Sequence, residues 1–407
     1  MFFSLAWRNI WRNRRRSAIT ISAICIGMAG IIFMIGMMNG FVVNMIENSV
    51  HLETGALQVH HRGYHDDPSV EKLIRNPSEV SDRVTALPRV NGVSLRIKSF
   101  GLVSTRRDSL GAMLVGIDPS SESVVTNLYK SVIAGSYGSI RSGNTVLLGK
   151  TLAQNLQVRL GDEIIILSQG ADGSMGNDIY KVGGIFETAS PDIDRMYIYM
   201  GLSDASELLS TYGGVNEIAV SLKDADAADS AKNAVINALG DEDELEVLTW
   251  KEVLPGVAQM VVFMQGAVFL FYLIVFGVAA FGISNTLIMS IFERVHELGV
   301  MMSIGTRPSR IFLQTAVESV MMGLIGSVIG SALGFLLSLN FILNGLDVSF
   351  WAKAKSFIAF SPVIYYRLVP WDFVLGIFFV VLVTALSSVY PALKASRLKP
   401  ADAIRYV

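Results

Sequence analysis

The stretch FERVHELGVMMSIGTRPSRI, residues 292–311, decides how the chain is read. It sets Glu293, Arg294, His296, Glu297, Arg307 and Arg310 between two long apolar runs, where a chain that otherwise suits a bilayer briefly turns polar. Read as a helix, Glu293, Arg294 and Glu297 lie within reach of one another at three- and four-residue spacings, while Leu298, Met301 and Met302 supply apolar contacts. Gly305 is placed to close that helix, and Pro308 to open the next at its first turn. The expected element is a short amphipathic helix joining two membrane spans. The bland alternative is a topological stop whose charges only follow the positive-inside bias.

Working outward, the flanks read as bilayer-spanning. The 407 residues are 51% hydrophobic and only 17% charged, with a mean hydropathy of +0.47, which is too apolar for an ordinary soluble chain of this length. Residues 17–46 and 253–292 carry no charge, 311–346 carry only Glu318, and 373–393 carry none. Each run is long enough to cross a hydrocarbon core of about 30 Å. An uninterrupted helix over 256–292 would be roughly 55 Å long, so part of it is expected to project as a stalk. The N-terminal arginines imitate a secretion signal, but the apolar run after them exceeds the ~7 to 15 residues of a signal core, so it is expected to stay as the first span.

Lysine and arginine set the expected orientation. Arg8, Arg12, Arg14, Arg15 and Arg16 precede the first span, Arg294, Arg307 and Arg310 lie between the second and third, and Lys394, Arg397, Lys399 and Arg405 follow the fourth. That bias puts both termini and residues 293–310 in the cytoplasm. Residues 47–252 and the short loop 347–372 then lie outside, the latter with Trp351, Phe357, Phe360, Tyr365, Tyr366 and Trp371 suited to a membrane–water interface. The expected divisions are a cytoplasmic amphipathic helix over 1–16, spans at 17–46, 253–292, 311–346 and 373–393, and a tail over 394–407. The region 47–252 alternates strand-like segments such as GALQVHH and GVSLRIKSFGLVS with helix-like ones, giving an α+β fold with a β-rich insertion at about 121–210. The fold class is thus an all-α four-helix transmembrane domain plus an α+β extracytoplasmic domain between helices one and two.

Candidate chemistry is sparse. GNTVLLGKT at 143–151 imitates a phosphate loop, but five residues separate its glycines where the motif requires four, so a strand end and helix start is the expected reading. His51, His60, His61 and His65 cluster near Asp66 and Asp67, yet no helix holds them at ligand spacing; a solvated strand end is expected and no metal is assigned. No catalytic motif and no nucleic-acid partner is indicated. Cys25 is the only cysteine and excludes an intrachain disulfide. Gly326, Gly330 and Gly334 form overlapping four-residue steps for close helix packing, and Glu318 is the lone acid within a span.

Four segments in order resemble one family. ERVHELGVMMSIGTRPSRI is similar to the E-R-x-x-E-[IL]-G-x-x-x-[AS]-[IL]-G signature of the MacB/LolC/FtsX-type ABC transporter permeases. LAWRNIWRNRRRS resembles the N-terminal helix of that family, ESVMMGLIGSVIGSALG its third span, and SSVYPALKASRLKPADAIR its closing motif, here with Tyr390, Pro391, Pro400 and Arg405. The resemblance implies that Glu293, Arg294, Glu297, Leu298, Gly299 and Gly305 form a coupling helix docked on a separate cytoplasmic ATPase. It implies Porter- and Sabre-like subdomains outside the membrane. Its implied partners are two copies of that ATPase, a second identical or different permease subunit, and a lipid or lipoprotein substrate, with a periplasmic carrier or adaptor. ATP and magnesium would be bound by the partner, and this chain would hold no cofactor and be no enzyme. The implied location is the bacterial inner membrane. The loop before the fourth span resembles the lipoprotein-releasing LolC/LolE branch more than FtsX, although the hairpin SQGADGSMGNDIYK lacks the proline of the carrier-recruiting hook. Expected functions are therefore substrate extraction, MacB-like mechanotransmission, or FtsX-like signalling to an outer enzyme.

Overall fold

The structure is a computed structural model that describes residues 2–12, 14–188, 190–223, 227–240, 244–293, 295–348 and 363–396. In chain order the helices are α1 (Phe2–Arg12), α2 (Arg14–Ser49), α3 (Pro77–Thr85), α4 (Pro119–Val125), α5 (Lys150–Asn155), α6 (Pro191–Met196) and α7 (Leu202–Leu208). They continue as α8 (Ala228–Leu239), α9 (Trp250–Val253), α10 (Pro255–Glu293), α11 (Val295–Ser303), α12 (Pro308–Asn344) and α13 (Pro370–Ser396). The strands are β1 (Leu57–His61), β2 (Val90–Ser104), β3 (Ser109–Ile117), β4 (Val132–Gly135), β5 (Thr145–Gly149) and β6 (Glu163–Gln169). After them come β7 (Met175–Phe186), β8 (Tyr197–Gly201), β9 (Glu217–Leu222), β10 (Leu245–Thr249), β11 (Leu346–Asp347) and β12 (Val363–Ile364).

Two compact units result among the described residues, one drawn from 2–42, 261–347 and 363–396, the other from 43–260. The first holds the spans: α2, α10, α12 and α13 are each long and apolar enough to cross a bilayer. Its core gathers Ile10 of α1, Ile24, Met28, Ile31, Ile32 and Ile35 of α2, Phe276 of α10, Met322 of α12 and Val380 of α13. The glycine steps of α12 make this packing close. A Cβ on Gly330 would lie 2.5 Å from the Cys25 carbonyl oxygen and 2.7 Å from Met28 Cβ, and one on Gly326 would lie 2.8 Å from Ile24 Cβ. Gly334 approaches Ala29 and Ile32 of the same helix in the same way. Backbones that near leave no room for a side chain, so the contact is van der Waals packing of helix on helix. Buried Ser319, Ser327, Ser331 and Ser338 share this helix with buried Glu318.

The second unit is built on a ten-stranded sheet in the order β10-β1-β9-β2-β3-β8-β5-β7-β4, with β6 joined to β2 and β7. Strand β2 is its beam. Residues 90–96 pair with β9 along one edge, 101–104 pair with β6 along the same edge, and 96–104 form a hairpin with β3 on the other. Where β9 ends and β6 has not begun, Asn216 takes over, accepting the Lys98 N–H through Oδ1 at 3.0 Å and donating its own N–H to the Arg96 carbonyl. Strands from the stretch read as an insertion, β4 to β8, are thus hydrogen-bonded into the same sheet as β1, β9 and β10. Val115, Ile117, Leu128, Ile140, Leu147, Phe186, Ile193 and Tyr199 form a core on β3, β5, β7 and β8. The phosphate-loop mimic is the end of β5 and the start of α5, capped by Gly149.

Candidate functional site

The polar stretch at 292–311 folds into a helix between two spans. α10 runs to Glu293, α11 occupies Val295–Ser303, and Gly305, at φ +96°, turns the chain so that Pro308 can begin α12. Only a residue without a Cβ adopts that left-handed backbone without strain, which is why the helix ends there. Leu298 packs in a small cluster with Ile291 of α10 and Ile311 of α12, flanked by Met301 and Met302. One face of α11 is therefore pinned to the ends of both spans, and Gly299 lies on it, buried. The other side is open: Val300 is 36% exposed, and Ile304, in the turn that follows the helix, is 80% exposed. The Arg294 position and the side chain of Glu293 lie outside the described residues.

Two contacts brace this element. Glu297 Oε2 accepts a hydrogen bond from Arg12 Nη2 of α1 at 2.7 Å, with both side chains half exposed, so the pair orients α11 more than it stabilises it. Lys394 of α13 places its ammonium 4.7 Å from the centroid of the Phe292 ring at the foot of α10. Sequence spacing directs attention to local partners of Glu297; an arginine 285 residues away is not visible in any helical period. Tyr390 is exposed and Pro391 buried within α13, while Pro400 and Arg405 lie outside the described residues.

Higher in the same unit a groove of about 570 Å³ opens between α10 and α13. Its walls include Phe269, Tyr272, Phe276, Phe379, Val383 and Leu386, and its polar margins are Gln265 and Ser387. α10 is otherwise bare: Phe263, Phe269, Val278 and Phe281 are all at least 67% exposed. Such a surface is stable only against lipid tails or another apolar helix.

The sheet unit carries a buried ionic row that sequence reasoning missed. His60 on β1, Glu217 on β9 and Arg96 on β2 are cross-strand neighbours. Arg96 donates to Glu122 of α4 at 2.7 and 3.0 Å and to Glu217 at 2.6 Å, and Lys98 donates to Glu217 at 2.7 Å. Thr126 adds a hydroxyl to Glu122 at 2.8 Å. Burial alone would raise the carboxyl pKa of Glu217, but Lys98 and Arg96 outweigh it and hold that group far below the usual range. Burial likewise opposes ionisation of Glu122, and the Arg96 charge and hydrogen bonds reverse it, so this group is also held low. Of the four clustered histidines His60 departs from the expected solvated strand end: it is 2% exposed, with Nε2 3.4 Å from Glu217, whereas His51, His61 and His65 are partly exposed. The reason is register, since β1 lies between β9 and β10 with His60 facing Glu217. Among the described residues no group of three His, Cys, Asp or Glu side chains is placed to hold a metal ion. The outer-interface aromatics divide: Tyr365 and Trp371 are exposed, Tyr366 is buried, and 351–360 lie outside the described residues.

Four apolar spans, a helix held between two of them and a large sheet unit define a membrane protein. Comparison with known families gives that class its name. The MacB-like periplasmic core domain matches residues 17–238 and the FtsX-like permease C-terminal domain matches 269–400, and the chain belongs to this family of ABC transporter permeases. It is 26% identical over 333 residues to the lipoprotein-releasing system transmembrane protein LolC of Xylella fastidiosa, covering 78% of each chain. It is 23% identical over 423 residues to LolE of Haemophilus influenzae, covering 99% of this chain and 98% of that one. It is also 24% identical to the macrolide export ATP-binding/permease protein MacB of Acinetobacter baylyi over 87% of this chain and 54% of that longer protein. The sheet unit thus corresponds to a periplasmic domain, and the protein is a permease of the inner membrane.

Proposed function

We propose that this chain is a non-catalytic permease subunit that turns ATP hydrolysis by a separate cytoplasmic ATPase into extraction of a lipoprotein or other amphiphilic substrate from the membrane. The observation that carries the coupling reading is α11, pinned through Leu298 to both adjacent spans and open at Val300 and at Ile304 in the turn that follows it. A force applied to its open face reaches α10 and α12 directly, because the Ile291–Leu298–Ile311 cluster leaves no slack between them. Glu293, Arg294, Glu297, Leu298, Gly299 and Gly305 make the docking element, and the closing motif with Tyr390, Pro391, Pro400 and Arg405 supports it from the end of the fourth span. In this reading both termini face the cytoplasm, two ATPase copies serve two permease subunits, and ATP and magnesium stay with the ATPase.

The apolar groove between α10 and α13 supports an amphiphilic substrate, because a chain of methylenes gains roughly 0.8 kcal/mol per buried CH₂ relative to water and needs no polar partner there. The names of the LolC and LolE relatives supply the lipoprotein part of the proposal. The MacB relative keeps efflux by mechanotransmission as the second reading. The test is Glu297→Lys in the full chain expressed in its own membrane. Loss of the co-purifying ATPase with unchanged expression is expected; an undiminished complex overturns the coupling assignment. Acylated protein among the wild-type co-purifying material supports extraction, whereas a periplasmic adaptor without acylated protein supports efflux.

A further inference from the structure

The first helix carries a surface that coupling leaves unused. At 3.6 residues per turn, α1 presents three sides. Ala6 and Ile10 are buried, Ile10 within the core formed by the spans. Trp7 and Trp11 form a second side, stacked edge to face at 5.9 Å and still 47% and 54% exposed. Arg8 and Arg12 form the third, and Arg14 and Arg15 follow at once, with the Arg14 guanidinium 5.9 Å over the Trp11 ring. No acidic residue occurs before Glu47. Among the described residues, Arg12 is the member of this group with an ion pair, to Glu297; Arg8, Arg14 and Arg15 are exposed and make none.

We propose that Arg8, Arg14 and Arg15, with Trp7 and Trp11, form a binding surface for the headgroups of anionic phospholipids. Indole rings favour the depth where headgroups meet acyl chains, so an exposed tryptophan pair on a helix anchored to the spans belongs at that depth. Guanidinium groups beside it then meet phosphate oxygens in the paired geometry they match best. Zwitterionic headgroups offer the same phosphate without net charge, so the surface discriminates by the extra negative charge. The contribution is roughly fivefold in local enrichment per arginine. Arg12 stays with Glu297, so lipid capture and orientation of α11 use different arginines of the N-terminal segment.

The test uses the full chain in lipid nanodiscs and follows tryptophan emission while brominated phosphatidylglycerol or brominated phosphatidylcholine is introduced at equal mole fraction. Trp7→Phe/Trp11→Phe identifies the share of the signal from these two rings. Wild type should be quenched several-fold more strongly by the brominated phosphatidylglycerol at low mole fraction, and the preference should shrink at high salt. Arg8→Gln/Arg14→Gln/Arg15→Gln should bring the ratio of the two lipids near one, while the matching triple lysine variant should keep most of the preference. Equal quenching in wild type, or undiminished selectivity in the glutamine variant, overturns the proposal. A wild-type measurement needs no variant to fold, and phosphatidylglycerol enrichment among lipids retained around the wild-type chain extracted with its native membrane gives a second reading: enrichment supports the surface, and bulk composition contradicts it.

Discussion

Arg96→Met is the most informative single change in the sheet unit. The substitution keeps an unbranched apolar stem but removes one positive charge and the hydrogen bonds to Glu122 and Glu217 at 2.6 to 3.0 Å. Glu217 keeps Lys98, whereas Glu122 keeps only neutral donors such as Thr126 among its hydrogen bonds at hand. Two carboxylates with side-chain exposures of 2% and 3% are then balanced by one cation. Breaking a buried pair from one side costs about 3 to 5 kcal/mol, because the abandoned charge stays desolvated. At 1.36 kcal/mol per decade that is about two to four orders of magnitude in local opening. Hydrogen exchange of β2 and β9 amides in the full-length protein in detergent reads this directly. Arg96→Met/Glu122→Leu removes one charge of each sign and leaves the Glu217–Lys98 pair, so it should recover much of the loss. A change below tenfold in Arg96→Met, or a double variant no better than the single, would refute a buried and charge-balanced row.

The remaining expectations concern pH and packing. Glu122 and Glu217 have lowered pKa values in the folded protein, so their stabilisation is complete above the ordinary carboxylate range near 4.3 and is lost as pH falls below it; exchange protection in β2 and β9 should hold from about pH 8 to 5 and decline in stronger acid. In Arg96→Met the burial that raises the Glu122 pKa is opposed only by neutral hydroxyl donors such as Thr126 and no longer by the guanidinium, so that pKa should rise and the deficit of the variant should narrow as pH drops from 8 towards 5. Gly330→Leu forces a side chain against the Cys25 carbonyl and Met28, and should cost about 1 to 3 kcal/mol or more, seen as a lower thermal midpoint in detergent. Gly266→Leu on α10, where a Cβ meets nothing within 4 Å, should show no such loss.

The spans were legible because bilayer crossing is a one-dimensional property: uninterrupted apolar length decides it, and α2, α10, α12 and α13 follow from that length alone. The short helix between two of them was legible through Gly305 and Pro308, residues whose backbone preferences act locally. The ionic row was not. His60, Arg96, Lys98, Glu122 and Glu217 come from four distant segments, and only the order of strands β1, β9 and β2 brings them together. A faint signal existed in NEIAVSL, where a glutamate heads a strand whose other residues are apolar or small; in the structure all six residues of β9 are buried. The Arg12–Glu297 contact was hidden for the same reason, since it depends on how α1 packs beside the spans.

Coupling to an ATPase stands or falls on what meets the open face of α11. Ile304, in the turn just after α11, is 80% exposed, and a photo-crosslinking amino acid placed there in the full chain, in its native membrane, samples that contact directly. The account predicts one dominant adduct to a protein with an ATP-binding cassette. Adducts only to lipid, or capture of a periplasmic protein from the opposite side of the membrane, would contradict it.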